Sequence, residues 1–95
     1  MHRLALGGFR VHGLDDFSDY YNPKIKRHHI EKLSLNSHIS EFDICNFERL
    51  SELYSKIRPD VVIHLAAQGG VRASENDPKP YIQTNQMGFY HLLQL

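Results

Sequence analysis

The sequence predicts an α/β fold, part of a doubly wound parallel sheet, and three observations predict it. Short apolar or β-branched runs alternate with longer amphipathic segments, the runs end in acidic or small residues, and helix-opening residues stand at Pro23 and Asn46. Strands separated by helices of this length are joined by crossovers, and a crossover leaves neighbouring strands parallel. About three strands with intervening helices are expected.

Met1 to Leu6 suits the last turns of a helix, with Gly7 and Gly8 at its C-terminal end, where a positive φ stops helical winding. Phe9 to Leu14 reads as a short buried strand, and Asp15 and Asp16 follow it before a polar, tyrosine-containing loop. Pro23 opens a helix expected to run to about Leu35, with Ile25, Ile30 and Leu33 as its apolar stripe. Ile39 to Ile44 alternates apolar and polar residues as a second strand does. Asn46 then caps a helix carrying Phe47, Leu50, Leu53, Tyr54 and Ile57 on one face. Arg58-Pro59-Asp60 breaks that helix. Val61 to Ala67 is a nearly continuous apolar run, the strongest strand signal in the chain. Gln68 to Pro80 is punctuated by glycine and proline as a loop, and Tyr81 to Leu95 returns to helical spacing.

The 95 residues fit a single small domain, 1–95, whose stability is marginal. Lys plus Arg and Asp plus Glu both number 11, so no net charge draws the chain to nucleic acid or to an anionic membrane. A single cysteine, Cys45, fits a reducing compartment, and the cytoplasm is expected. No stretch of ~18 apolar residues offers a membrane span.

In a doubly wound sheet, ligands lie outside the carboxyl ends of the strands, where Asp15, Asp43 and Ala66 to Gln68 fall. An acidic residue closing a strand can accept hydrogen bonds from an adenosine ribose and repel the extra phosphate of NADP. Asp15 is placed for this, with Asp16 beside it, although both equally suit the start of a turn. Asp43 and Ile44 offer a side-chain acceptor and a backbone edge to an adenine ring, yet an Asp ahead of a helix is often only a cap. In the run His64 to Arg72, small residues such as Ala66, Ala67, Gly69 and Gly70 would let a flat cofactor touch backbone directly.

Gly-Leu-Asp-Asp-Phe-Ser-Asp-Tyr-Tyr-Asn-Pro at 13 to 23 and His-Leu-Ala-Ala-Gln-Gly-Gly-Val-Arg at 64 to 72 resemble extended short-chain dehydrogenases/reductases of the UDP-glucuronate 4-epimerase type. The resemblance continues through Asn76-Asp77-Pro78, Tyr81 and Thr84 to Phe89. It implies a partial Rossmann-type NAD-binding domain. Asp15 would hold the adenosine ribose, Asp43 and Ile44 would flank adenine, and Leu65, Ala66, Ala67 and Gln68 would line the ribose and pyrophosphate. Asn85 would contact the cofactor, and Val71 and Arg72 would lie near a UDP-sugar, although an exposed Arg can simply solvate a loop.

The same resemblance places a first strand and a Gly-x-x-Gly-x-x-Gly turn ahead of Met1, and a catalytic Ser or Thr and a Tyr-x-x-x-Lys pair after Leu95. The chain is therefore expected to be a fragment of an NAD-dependent nucleotide-sugar epimerase, non-catalytic alone, with weak or absent NAD binding. Related dehydratases and decarboxylases share this half of the fold. A non-catalytic module that pairs with itself or with a full-length epimerase through an exposed sheet edge is the other reading. Tyr20 and Lys24 have the Tyr-x-x-x-Lys spacing, but Pro23 lies between them in a loop. His28, His29, His38 and His64 lack zinc-ligand spacing, so no metal is expected.

Overall fold

A computed structural model describes residues 1–35 and 38–95, which group into two units, Met1–Asp43 and Ile44–Leu95. In the first unit, helix α1 (His2–Leu6) ends at Gly7, and Gly8 takes the positive φ, 84°, that stops the winding. Strand β1 (Gly13–Asp15) pairs in parallel with β2 (Ile39–Glu41), in the register Gly13 with Ile39, Leu14 with Ser40 and Asp15 with Glu41. Helix α2 (Pro23–Lys32) lies between them in sequence, with Pro23 in its first turn and the Asn22 side chain accepting the Lys24 amide hydrogen bond. This is the parallel β-α-β crossover that the alternating segments require.

Both strands are shorter than their sequence patterns suggest. β1 begins at Gly13 rather than Phe9, and Phe9 is 66% exposed. A two-stranded ladder satisfies backbone groups only along its paired length, so residues before Gly13 gain nothing from extended pairing. β2 stops at Glu41 rather than Ile44, and Phe42 and Ile44 follow it as buried residues outside the ladder. α2 ends at Lys32 instead of Leu35, and Ser34, at φ 54°, carries the chain out of helical winding.

Phe17 anchors the first unit. It is 8% exposed, and the Arg27 guanidinium lies 4.4 Å from its ring centroid, a cation–π distance. The same guanidinium bonds both carboxylate oxygens of Glu41, Nη1 to Oε2 at 3.0 Å, and so ties α2 to β2. The hydrogen bond from Arg27 is the main reason the Glu41 carboxyl titrates below its ordinary range, and the nearby guanidinium charge adds to it. A depressed carboxyl contributes stability above its unfolded pKa and loses it as pH falls through the lowered folded value. Glu41→Gln is therefore expected to lower stability slightly at neutral pH and to flatten the acid limb of a stability–pH curve by the same small amount, since the pair is about half exposed. Urea melts between neutral pH and strong acid check this, and parallel curves for the two proteins would contradict it.

In the second unit, α3 (Phe47–Ile57) forms as its spacing predicts. The Asn46 side chain accepts the Arg49 amide, Glu48 sits in the first turn and Lys56 in the last, and Arg58 closes the helix in the left-handed conformation. Leu50, at 4% exposure, is its buried contact, and Ile44 just ahead of it is 7% exposed. A long helical segment then runs from α5 (Lys79–Ile82) through a π-helical stretch, Gln83–Gly88, into α6 (Phe89–Leu93). Gly88 is buried against Ile44, His91 Nδ1 lies 3.4 Å from the Ile44 carbonyl, and the His91 ring lies 5.2 Å from that of Phe47. These contacts hold the helical segment to the start of α3.

Three expectations are corrected here. Val61 to Ala67 forms no strand: Val61, Ile63 and Leu65 are 77%, 65% and 86% exposed. A parallel strand buried on both faces needs neighbours for its backbone groups, and among the described residues no strand pairs with this run, so its apolar character alone does not make it a strand. The stretch from Gln68 to Pro80 is not wholly loop, because α4 (Val71–Asn76) forms within it after Gly70. The last helix starts at Lys79 rather than Tyr81, with the Asp77 side chain accepting the Lys79 amide, and it is π-helical rather than regular at its centre. No helix among the described residues is long and apolar enough to cross a membrane.

Candidate functional site

Asp15 is the last residue of β1, at the carboxyl end of a parallel strand. Its Oδ1 accepts the Phe17 amide at 2.8 Å and the Lys26 ammonium at 2.7 Å, and its side chain is 40% exposed. Both contacts fall on Oδ1, so Oδ2 has no hydrogen bond among the described residues and can accept one from a ligand hydroxyl. The Asp16 carboxylate likewise accepts the Ser18 amide, at 2.9 Å. The turn-forming and ligand-accepting readings of this Asp pair are therefore compatible. Two successive side-chain caps of this kind hold Phe17 at its positive φ of 52°, a conformation that costs a bulky residue energy unless its surroundings impose it. Asp15 and Lys26 border an open hollow of about 290 Å³ with Leu14, Phe17 and Ile39.

Asp43 is exposed at the end of the first unit. Ile44 is buried in the second, so its side chain serves packing and only its backbone remains to meet a ligand.

Within the second unit, the structure brings Gln68 and Asn85 together. The Gln68 amide donates to Asn85 Oδ1 at 2.7 Å, and Asn85 Nδ2 donates to the Gln68 carbonyl at 3.0 Å. Leu65, Ala66 and Ala67 are exposed ahead of this joint. Space beside Gly69 is open, and Gly70 holds φ 106°, which an L side chain rarely adopts. Small, exposed residues with an open backbone suit the approach of a flat cofactor. Val71 and Arg72 occupy the first turn of α4, both exposed, and the Arg72 carbonyl accepts Asn76 Nδ2 at 3.4 Å. The Arg72 guanidinium forms no ion pair among the described residues.

Tyr20 stacks edge-on against Tyr21 with ring centroids 4.9 Å apart, and Lys24 belongs to the first turn of α2. No three His, Cys, Asp or Glu side chains among the described residues converge as a metal site needs. Two residues receive no role in the reading of the sequence. Lys26 neutralises Asp15, and its only signal is a cation in the first turns of the helix that follows an acidic strand end. Tyr81 reaches the Gly69 and Gly70 carbonyls, and its four-residue spacing from Asn85 could have pointed to a shared helix face.

The sequence model of the family described as GDP-mannose 4,6 dehydratase matches residues 1–95. UDP-glucuronate 4-epimerase 4 of Arabidopsis thaliana is 40% identical over 93 residues, 97% of this chain and 21% of the relative. Protein CapI of Staphylococcus aureus is 33% identical over 93 residues, covering 97% and 28%. UDP-glucuronate 4-epimerase of Thermodesulfobacterium geofontis is 37% identical over 94 residues, covering 97% and 29%. The chain thus spans less than a third of the length of each of these relatives.

Proposed function

The chain belongs to the GDP-mannose 4,6 dehydratase family of NAD-dependent epimerases and dehydratases, and on that premise we propose that its 95 residues are cofactor-binding sequence of a UDP-glucuronate 4-epimerase. The observation that carries the reading is Asp15 at the carboxyl end of a parallel strand, with one carboxylate oxygen engaged and the other open. A ribose offers vicinal hydroxyls to such an oxygen, and a charged acceptor makes the stronger kind of hydrogen bond.

NAD, when bound, supplies the acceptor and later donor of hydride at the sugar C4. The chain's own residues bind and orient. Asp15 accepts a ribose hydroxyl, while Lys26 and the Phe17 amide hold its carboxylate in place. Asp43 and the Ile44 backbone meet adenine. Leu65 to Gln68 present backbone to the ribose and pyrophosphate, Asn85 supports that stretch, and Val71 and Arg72 serve the nucleotide sugar. Arg72 suits phosphate or carboxylate oxygens, which a guanidinium can bond in pairs.

Within the 95 residues there is no Gly-x-x-Gly-x-x-Gly, and Tyr20/Lys24 is the one Tyr-x-x-x-Lys pair. This polypeptide alone is thus proposed to bind NAD weakly and to leave UDP-glucuronate unchanged. Titration of the 95-residue chain with NAD, followed by amide shifts, tests the binding. Asp15→Asn keeps the side chain's shape while removing its charge, and it is expected to weaken NAD by about tenfold. Equal NAD affinity in the two proteins would refute the ribose role.

A further inference from the structure

Tyr81, in α5, and Asn85, in the π-helical stretch, grip three consecutive residues of the loop that leads into α4. The Asn85 carboxamide satisfies both main-chain polar groups of Gln68, as a neighbouring strand would. The Tyr81 hydroxyl lies 3.0 Å from the Gly69 carbonyl and 2.9 Å from that of Gly70, and its hydrogen can serve either. Gly69 and Gly70 lack a Cβ and have more backbone freedom to lose than any other residue, so bonds from outside must select their conformation. A π-helical stretch, uncommon and often found at functional sites, carries one of the two gripping residues.

We infer that Tyr81 and Asn85 are positioning residues that fix the Gln68–Gly70 backbone for a dinucleotide, with Asn85 acting through Gln68. The inference rests on the NAD reading above. It also assigns Tyr81 a task that composition and motif spacing leave unstated. The loop backbone is thereby ordered before the ligand arrives, and the ligand need not supply that ordering when it binds.

The test uses the 95-residue chain and three variants: Tyr81→Phe, which removes only the hydroxyl, Asn85→Ala, and Tyr90→Phe as a control. Tyr90 lies on α6, is 51% exposed, and its ring lies 6.3 Å from that of His91 on the same helix. Amide hydrogen exchange is read residue by residue. Asn85→Ala is expected to speed exchange at Gln68 by about tenfold and Tyr81→Phe by about threefold, while amides of α3 keep their wild-type rates. NAD affinity should fall in both variants and keep its wild-type value in Tyr90→Phe, with exchange in α3 unchanged, a split that general loosening would not produce. Unchanged exchange at Gln68, acceleration spread equally through α3, or a loosened loop with wild-type NAD affinity would each overturn the inference. If wild type shows no NAD shifts, the NAD reading fails and, with it, the ligand half of this one, whereas the exchange rates still decide whether the grip exists.

Discussion

Leu50→Ala is expected to cost about 2–5 kcal/mol and to unfold the Ile44–Leu95 unit. Leu50 is the most deeply buried hydrophobic side chain among the described residues, at 4% exposure, and in its own unit only Ile44, at 7%, is a comparably buried hydrophobic side chain among them. A core this small has no reserve. Net stabilities of whole domains are only about 5–15 kcal/mol, so a loss of this size removes a large share of what a short chain has. The helix itself would not rescue the unit, because a three-turn helix in water depends on its packed face rather than on propensity. Leu93→Ala is the comparison: that side chain is 68% exposed and its removal should change stability by about 0.5 kcal/mol or less. Urea unfolding followed by circular dichroism distinguishes the two. Similar midpoints for Leu50→Ala and Leu93→Ala would contradict the assignment of the core.

Gly88→Ala is expected to destabilise by about 1–3 kcal/mol through overpacking. A Cβ on Gly88 would stand 2.6 Å from Ile44 Cγ2, a separation that real Cβ atoms do not show. The methyl group it meets branches from Ile44 Cβ and cannot swing aside as the tip of a long side chain could. Either the helical segment or the start of α3 must shift. The energy is therefore a coupling between two residues, and a double-mutant cycle measures it: Ile44→Ala removes the obstructing methyl, so Gly88→Ala should cost less in that background. Identical costs in both backgrounds would show that the strain lies elsewhere.

Much of this arrangement is legible in the sequence because local chemistry decides it. Asn46 caps α3, Pro23 opens α2, Gly8 takes the positive φ that closes α1, and the β-α-β crossover brings Asp15 to the mouth of a parallel pair. Where neighbours decide, the sequence is silent. Val61 to Ala67 has the strongest strand composition in the chain, but a strand is a relation between two segments, and composition describes only one of them. The ends of β1 and β2 are likewise fixed by how far each finds a partner. Lys26 and Tyr81 received no role for a different reason. A lysine or tyrosine in a helical stretch has no distinctive signal until folding shows which backbone or carboxylate oxygen it reaches. The resemblance to the epimerases assigns Asn85 to the cofactor, and the structure adds that its carboxamide bonds both main-chain polar groups of Gln68.

An NAD titration of isotope-labelled protein, with every backbone amide followed, puts the cofactor-site reading to its most direct trial. Saturable shifts at Asp15, Asp16, Asp43 and Ile44, and along Leu65 to Gln68, are the predicted result. Shifts confined to other residues, or none up to millimolar NAD, would contradict it.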